Sequence, residues 1–492
     1  MKVKDFVKEV KSGNIDVVEH TKKVLDEAKK INKEYNYFNV ISDELALEQA
    51  KKIKKNKKGR LLGVPISVKD CICVKDIEST AGSRILKDYK PLFNATAIQK
   101  IIDEGGIIIG KTSQDEFGFG GFSTNMGLDY KIPKNPIDKE RVTGGSSGGA
   151  GGIAKLSKYP HLAVSESTGG SIVNPASFCG VVGLCPTYGL VSRYGLIDYA
   201  NSLDKIGGIA KDVEDVDLLL DVMKGYDEND STSLNKDLNK DSKVKKIGII
   251  KEAFNVDDEI KDKILEKINE LGIKYEYVSL PISIEYGIPT YFLIAPSEAS
   301  TNLAKYCGMR YGVHEELDEV YNEYFTKVRS NNFGKEVKRR IMIGTFARMA
   351  GYREAYYTKA MKIRTMIIEE YKKAFKKFDV LLSPTVPMVA PKIKDVDKLS
   401  IIENYMIDLL TVGPNLAGLP HLSVNVGNSK NKMPIGAMFI GNYLDEKKLI
   451  EVGKKVNVWY IGFYNSSQLT PTPVDVFSGP IISTNPPIIS SS

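Results

Sequence analysis

Two glycine- and serine-rich stretches, residues 143–152 (TGGSSGGAGG) and 165–175 (SESTGGSIVNP), set Ser146 and Ser171 25 positions apart, and both follow a lysine, Lys69, in the apolar run 61–69 (LLGVPISVK). Glycines ahead of a serine let the backbone approach a substrate carbonyl and turn successive N–H groups toward it, as stabilising an oxyanion requires. Ser171, directly after Gly169 and Gly170, is therefore the candidate nucleophile, with the amides of Thr168, Gly169 and Gly170 as oxyanion donors. A serine hydroxyl needs a base. The four histidines (His20, His161, His314 and His421) stand in no setting that marks a Ser-His-Asp arrangement. A lysine serves instead when burial disfavours its ammonium. Val64, Pro65, Ile66 and Val68 precede Lys69, and Cys71, Ile72, Cys73 and Val74 follow it. Two readings of Lys69 stay open here: the base, or the partner of Asp70 or another acid. A glycine-serine run is also linker composition, but this one is followed closely by the second glycine pair and by the apolar stretch 178–184.

The elements that must hold these groups follow from periodicity. Apolar spacing over residues 18–55 predicts two amphipathic helices around an extended piece at 35–41. Strand 61–69, helix 97–104 and strand 106–110 follow, then strand 245–251, helix 257–271 and strand 274–280. Such alternation predicts a layered α/β domain. Helices are expected at 297–306, 314–330, 335–349 and 352–375, with further strands at 380–383, 422–426 and 434–440. No long linker interrupts the pattern, so residues 1–458 read as one domain. Residues 459–492 lack Lys and Arg, hold one acid (Asp475) and are rich in Pro, Ser and Thr, which predicts a flexible tail.

Other chemistries are set aside. Residues 105–112 (GGIIIGKT) satisfy the phosphate-loop pattern, but three consecutive isoleucines make a strand where a loop is needed, and a helix precedes them where a strand is needed. The five cysteines form no CxxC pair and the histidines no HExxH spacing, so no metal is expected and the thiols read as buried and free. A formal charge of +7 from 69 basic and 62 acidic residues is modest, and its densest run, 51–60 (KKIKKNKKGR), reads as a solvated helix end rather than a nucleic-acid patch. The first eleven residues lack the apolar core of a signal peptide and no run approaches a membrane span; a cytoplasmic protein without membrane contact is expected.

From about residue 61 to 455 the sequence resembles the amidase signature enzymes. The resemblance is carried by VPISVKD around Lys69, GGSSGG around Ser146, TGGS ending at Ser171, NPASFCGVVGL, PTYGLVSRYGL and GLPHLSVNVG. It implies the family's α/β fold, a mixed β-sheet core covered by helices on both faces. It also implies a Ser-Ser-Lys triad: Ser171 attacks, Ser146 relays the proton from a cis peptide, and Lys69 is the final base. Segments 225–233 (GYDENDSTS), 289–312, 333–357 and 408–420 (DLLTVGPNLAGLP) resemble the branch that serves as the glutaminase component of a tRNA-dependent amidotransferase. That branch implies free glutamine as substrate, with Tyr291, Arg340 and Asp408 at the positions that hold it. A zwitterion suits this set, since its carboxylate calls for a cation and its ammonium for an acid. The branch further implies a heterotrimer with the amidotransferase's B and C subunits, and glutamyl-tRNA(Gln) bound mainly through the B subunit. No cofactor is expected in this chain; ATP and Mg²⁺ would be used by the partner.

Departures from the family pattern leave alternatives. Where the family has Ser-Asp-Thr-Gly-Gly-Ser-Ile-Arg, this chain has Glu166-Ser167-Thr168-Gly169-Gly170-Ser171-Ile172-Val173, so an acid and an arginine are missing together. The interval from Ser146 to Ser171 is one residue longer, Cys185 replaces a lysine, and Gly208 replaces a proline. Losing both members of a buried ion pair strands neither charge, and a shifted register would let Glu166 take the acid's place. A stand-alone amidase with another substrate and a catalytically silent structural component remain as competing readings; Arg340, beside Lys338 and Arg339, would in the plainest case lie on a solvated helix face.

Overall fold

The computed structural model describes residues 1–316 and 320–464, with side chains described up to residue 457. Among these residues eleven strands form one mixed sheet: β1 (Phe38–Ile41), β2 (Pro65–Lys69), β3 (Ile107–Thr112), β4 (Leu162–Ser167), β5 (Val182–Cys185), β6 (Lys205–Ala210), β7 (Lys246–Ile250), β8 (Lys274–Val278), β9 (Val380–Pro384), β10 (His421–Asn428) and β11 (Pro434–Gly441). Their spatial order is β1-β3-β2-β4-β6-β5-β10-β11-β9-β7-β8. β2 runs parallel to both β3 and β4, while the strands from β4 through β6, β5, β10 and β11 to β9 pair antiparallel. Helices flank the sheet, so its interior strands are buried on both faces; β11 (PIGAMFIG) reads as a nearly continuous apolar run, whereas β10 (HLSVNVGN) alternates. At the margin, β8 (KYEYV) stays partly exposed and charged, which discourages pairing with another chain.

Residues 107–112 form the expected buried strand behind helix Thr96–Asp103, the reverse of a phosphate cradle. Lys111 is enclosed, its Nζ donating to Ser79 Oγ at 2.5 Å and to the Asp70 carbonyl at 3.2 Å. Helix Asp43–Lys55 ends in the basic run, whose lysines are exposed as expected. Cys71, Cys73, Cys179 and Cys185 are buried free thiols, and Cys307 is half-buried.

Three expected segments have different bounds in the structure, and strands β4, β5 and β6 were not expected. Helix Pro281–Asn302 spans 22 residues although only its last part was expected, and it carries Pro289 and Pro296 in its interior. Its neighbour, helix Lys335–Arg348, approaches so closely that a Cβ on Gly344 would lie 1.8 Å from the Pro296 carbonyl oxygen. The helix expected from 314 begins only at Tyr321 and runs to Asn332. Helix Glu446–Tyr464 continues past residue 458, so the expected tail does not begin at 459; its remainder, 465–492, lies outside the described residues. No helix among the described residues is long and apolar enough to cross a membrane.

Candidate active site

The parallel register that pairs Val68 with Val164 brings the C-terminal ends of β2 and β4 together, so Lys69 and Glu166 meet at one edge of the sheet. Lys69 is fully buried, yet its surroundings are polar rather than apolar as its neighbours in sequence suggested. Its Nζ donates to Ser146 Oγ at 2.7 Å, to the Glu166 carbonyl at 2.9 Å and to Glu166 Oε2 at 2.8 Å. Lysine therefore does pair with an acid, but the acid is Glu166; Asp70 turns instead to Thr80, Gly82 and Asn39. The Gly145–Ser146 peptide is cis. Gly144 has φ +77°, and a Cβ on Gly145 would lie 2.2 Å from Asp115 Oδ2, so only glycine threads this loop past its neighbours.

β4 ends in the turn that carries Ser171. The Gly169 carbonyl accepts from Asn415 Nδ2 at 2.6 Å and the Gly170 carbonyl from the Asn174 amide at 2.8 Å. Among the described residues, the backbone N–H groups of Thr168, Gly169, Gly170 and Ser171 donate to no protein acceptor. Pinned carbonyls and free amides give these peptides the character of an anion-binding turn. Ser171 is nearly buried, and its hydroxyl makes no hydrogen bond among the described residues; the Lys69–Ser146 leg of the expected relay is formed in this structure, the Ser146–Ser171 leg is not.

Tyr291, Arg340 and Asp408 come together beside this turn. The Tyr291 ring approaches within 3.2 Å of where a Cβ on Gly169 would stand. Arg340 is 3% exposed, which removes it from the solvated face that Lys338 occupies. Its Nε donates to Glu336 Oε1 at 2.9 Å and its Nη1 to the Tyr199 hydroxyl at 2.7 Å, and its guanidinium lies 5.0 Å from the Phe119 ring and 5.1 Å from that of Phe292. Aromatic faces and one carboxylate hold the cation in place of water. Asp408 accepts from Asn174 Nδ2 at 2.7 Å; burial pushes its carboxyl up to about 6, against the lowering effects of Asn174 and Arg340.

Several members of the site were not read from the sequence. Asn174 could have been, since it stands three residues after Ser171 in the same motif. Tyr199, Asn415, Asp115 and Asp204 carry no local signal. Burial pushes the Asp115 carboxyl up to about 7 even though it accepts from the Asn125 and Ser123 amides. The three charge-losing departures leave neutral groups in place: Ser167 donates to the Gly169 carbonyl at 3.3 Å, Val173 is buried, and Cys185 Sγ lies 3.8 Å from Asn415 Oδ1. Glu166 answers Lys69 and has not replaced the missing acid.

An amidase family model matches residues 19–450. The A subunit of glutamyl-tRNA(Gln) amidotransferase from Trichodesmium erythraeum is 43% identical over 483 residues, covering 93% of this chain and 98% of its own. That of Archaeoglobus fulgidus is 44% identical over 426 residues, covering 85% and 91%. The solved structure of the same amidotransferase component from Thermotoga maritima superposes with a TM-score of 0.72 at 33% identity, covering 89% of this chain and 91% of that one. A bacterial aryl acylamidase, at 22% identity and a TM-score of 0.80, shares the fold.

Proposed function

This chain belongs to the amidase family, and from that membership we propose that it works as the glutamine-hydrolysing A subunit of a glutamyl-tRNA(Gln) amidotransferase. The observation that carries the reading is the meeting of one buried cation, Arg340, and one buried acid, Asp408, beside the Ser171 turn. A free amino acid presents the complementary pair of charges, and a neutral amide substrate would leave the buried Asp408 carboxylate with no cation beside its one bond from Asn174. Near-full-length similarity to relatives bearing that name supports it from a second side.

Ser171 Oγ attacks the side-chain amide carbon of glutamine, and the proton it loses passes through Ser146 toward Lys69. The amides of Thr168, Gly169 and Gly170 receive the oxyanion. As the tetrahedral intermediate collapses, the proton returns to the departing nitrogen, ammonia leaves and a glutamyl ester remains on Ser171. Water then releases glutamate through the same relay. Arg340 holds the glutamine carboxylate, Asp408 its ammonium, and Tyr291 closes over the turn. Ammonia passes to the B subunit, which together with the C subunit completes a cytoplasmic heterotrimer, binds glutamyl-tRNA(Gln) and uses ATP and Mg²⁺ to activate the acceptor.

Glutamate release from glutamine, measured for the chain alone and with the B and C subunits, tests the reading. Turnover that rises with the partners and vanishes in Ser171→Ala is expected. Broad amide hydrolysis by the chain alone would make it an independent amidase, and absence of turnover in every setting would make it a silent structural component.

A further inference from the structure

Lys69 Nζ has three acceptors around it, Ser146 Oγ at 2.7 Å, Glu166 Oε2 at 2.8 Å and the Glu166 carbonyl at 2.9 Å, which is the full complement of an ammonium. An ammonium has no lone pair and cannot accept the proton that Ser146 must hand on. The same carboxylate continues inward. Thr168 Oγ1 lies 2.8 Å from Glu166 Oε1 and 2.8 Å from Asp204 Oδ1, yet one hydroxyl has one proton to give. The second contact is satisfied when Asp204 carries a proton and donates it to Thr168 Oγ1, leaving the Thr168 hydroxyl to donate to Glu166. Burial first, and then the Glu166 charge, push the Asp204 carboxyl well up from its ordinary value. Asp204, Thr168, Glu166, Lys69 and Ser146 thus form a continuous chain of hydrogen bonds, all of it buried.

We propose that Glu166 is the proton acceptor that turns Lys69 into a base, so that the working base of this site is the Lys69–Glu166 pair holding one proton between them. This rests on the reading of Ser171, Ser146 and Lys69 as the catalytic set. In the priming step an Nζ–H bond breaks and an Oε2–H bond forms, converting ammonium and carboxylate to amine and carboxylic acid without change of net charge. When Ser171 attacks, its proton goes to Ser146 Oγ and that of Ser146 to the freed lone pair on Nζ. The pair then carries one positive charge against the one negative charge of the oxyanion. Collapse returns the proton to the leaving nitrogen and restores neutrality. The Thr168 hydroxyl fixes the orientation of the carboxyl that receives the proton, and Asp204, neutral throughout, fixes the hydroxyl. Gly118, with φ +78°, lets the backbone lie over the pair, where a Cβ would stand 3.4 Å from Ser146 Oγ and 3.6 Å from Glu166 Oε2.

The titratable groups facing the pair are Asp204, Asp115, Cys71 and Cys185, and the readout is placed above the range of Asp115, whose carboxyl sits at about 7. Ser171 is labelled in the assembled complex with a fluorophosphonate probe, read by intact-protein mass, beside glutamine turnover. Wild-type labelling and kcat are followed between about pH 7.5 and about pH 9 as the reference. Glu166→Gln, which keeps the shape but takes no proton, should label and turn over ~10²-fold more slowly at about pH 7.5 with KM for glutamine unchanged, and regain part of that loss by about pH 9.

If Glu166 merely holds Lys69 in its charged state, Glu166→Gln frees the amine and speeds both reactions at neutral pH, which overturns the proposal. A pH-flat loss in Glu166→Gln would reduce Glu166 to a packing role and overturn it equally. Labelling that behaves as expected in an enzyme that leaves glutamine untouched would sink the glutaminase reading and keep the proton pair.

Discussion

Replacing Asp408 by asparagine should separate recognition of the glutamine ammonium from everything else the site does. The carboxyl is buried and accepts one bond from Asn174; an asparagine carbonyl can accept the same bond, so the local geometry survives while the charge goes. A hydrogen bond to a charged group contributes about 1.5–3 kcal/mol, or roughly 10–150-fold in kcat/KM for glutamine. Glutaramate has the carboxylate and side-chain amide of glutamine but no amine, and its kcat/KM should change less than about threefold. Only the carboxylate form attracts an ammonium. With Asp408 at about 6, wild-type kcat/KM for glutamine should fall about tenfold per unit below that pH, and the limb should be absent for glutaramate and from Asp408→Asn with either substrate. Stability moves the other way. The folded carboxyl sits near 6 against an ordinary 3.8, so between those values the folded state binds more protons and stability falls as pH rises, the full cost of about 3 kcal/mol being present above about 6. Asp408→Asn should therefore be more stable than wild type at neutral pH, by up to that amount in denaturant titration. Equal losses for glutamine and glutaramate, or an unmoved acid limb in the variant, would refute the assignment.

Gly170→Ala puts a Cβ 2.4 Å from Asn174 Oδ1, which must shift the turn; a drop of ~10²–10³-fold in kcat is expected with little change in cooperative unfolding, and near-normal kcat would contradict the anion-binding role of these amides. Lys69→Met leaves Glu166 buried without its counterion, which should cost about 3–5 kcal/mol; adding Glu166→Gln should return much of that in thermal or denaturant unfolding, whereas additive losses would argue that the two side chains are not coupled. In native protein a thiol reagent should modify Cys307 rapidly and Cys71, Cys73, Cys179 and Cys185 only after unfolding, a difference that peptide mapping after a short exposure resolves.

What the sequence made legible follows from locality. Ser146, Ser171 and the glycines before them are neighbours along the chain, and the need for positive φ or close backbone approach is a property of the residue itself, so the turn and its free amides could be anticipated. Lys69 was recognisable as buried because the residues around it are apolar. Its partner was not. Whether Glu166 points at Lys69 depends on the parallel register of β2 against β4, and one step of slippage would aim the carboxylate at the opposite face of the sheet. The aromatic enclosure of Arg340 draws on Phe119, Tyr199, Phe292 and Tyr405, four distant stretches that no window in the chain unites. The helix carrying Tyr291 extends well before its expected start although Pro289 and Pro296 count against helix locally, and the approach of Gly344 to the Pro296 carbonyl is a contact that only the packed helices reveal.

The bond from Asn174 to Asp408 joins positions 234 residues apart. It ties the turn that bears Ser171 to a segment made much later in synthesis. On the ribosome, Lys69, Ser146 and Ser171 emerge long before Asp408, and contacts of such separation form slowly even in a finished chain. A polypeptide interrupted before Asp408 consequently carries Lys69 and both serines without the carboxyl proposed to hold the ammonium of glutamine.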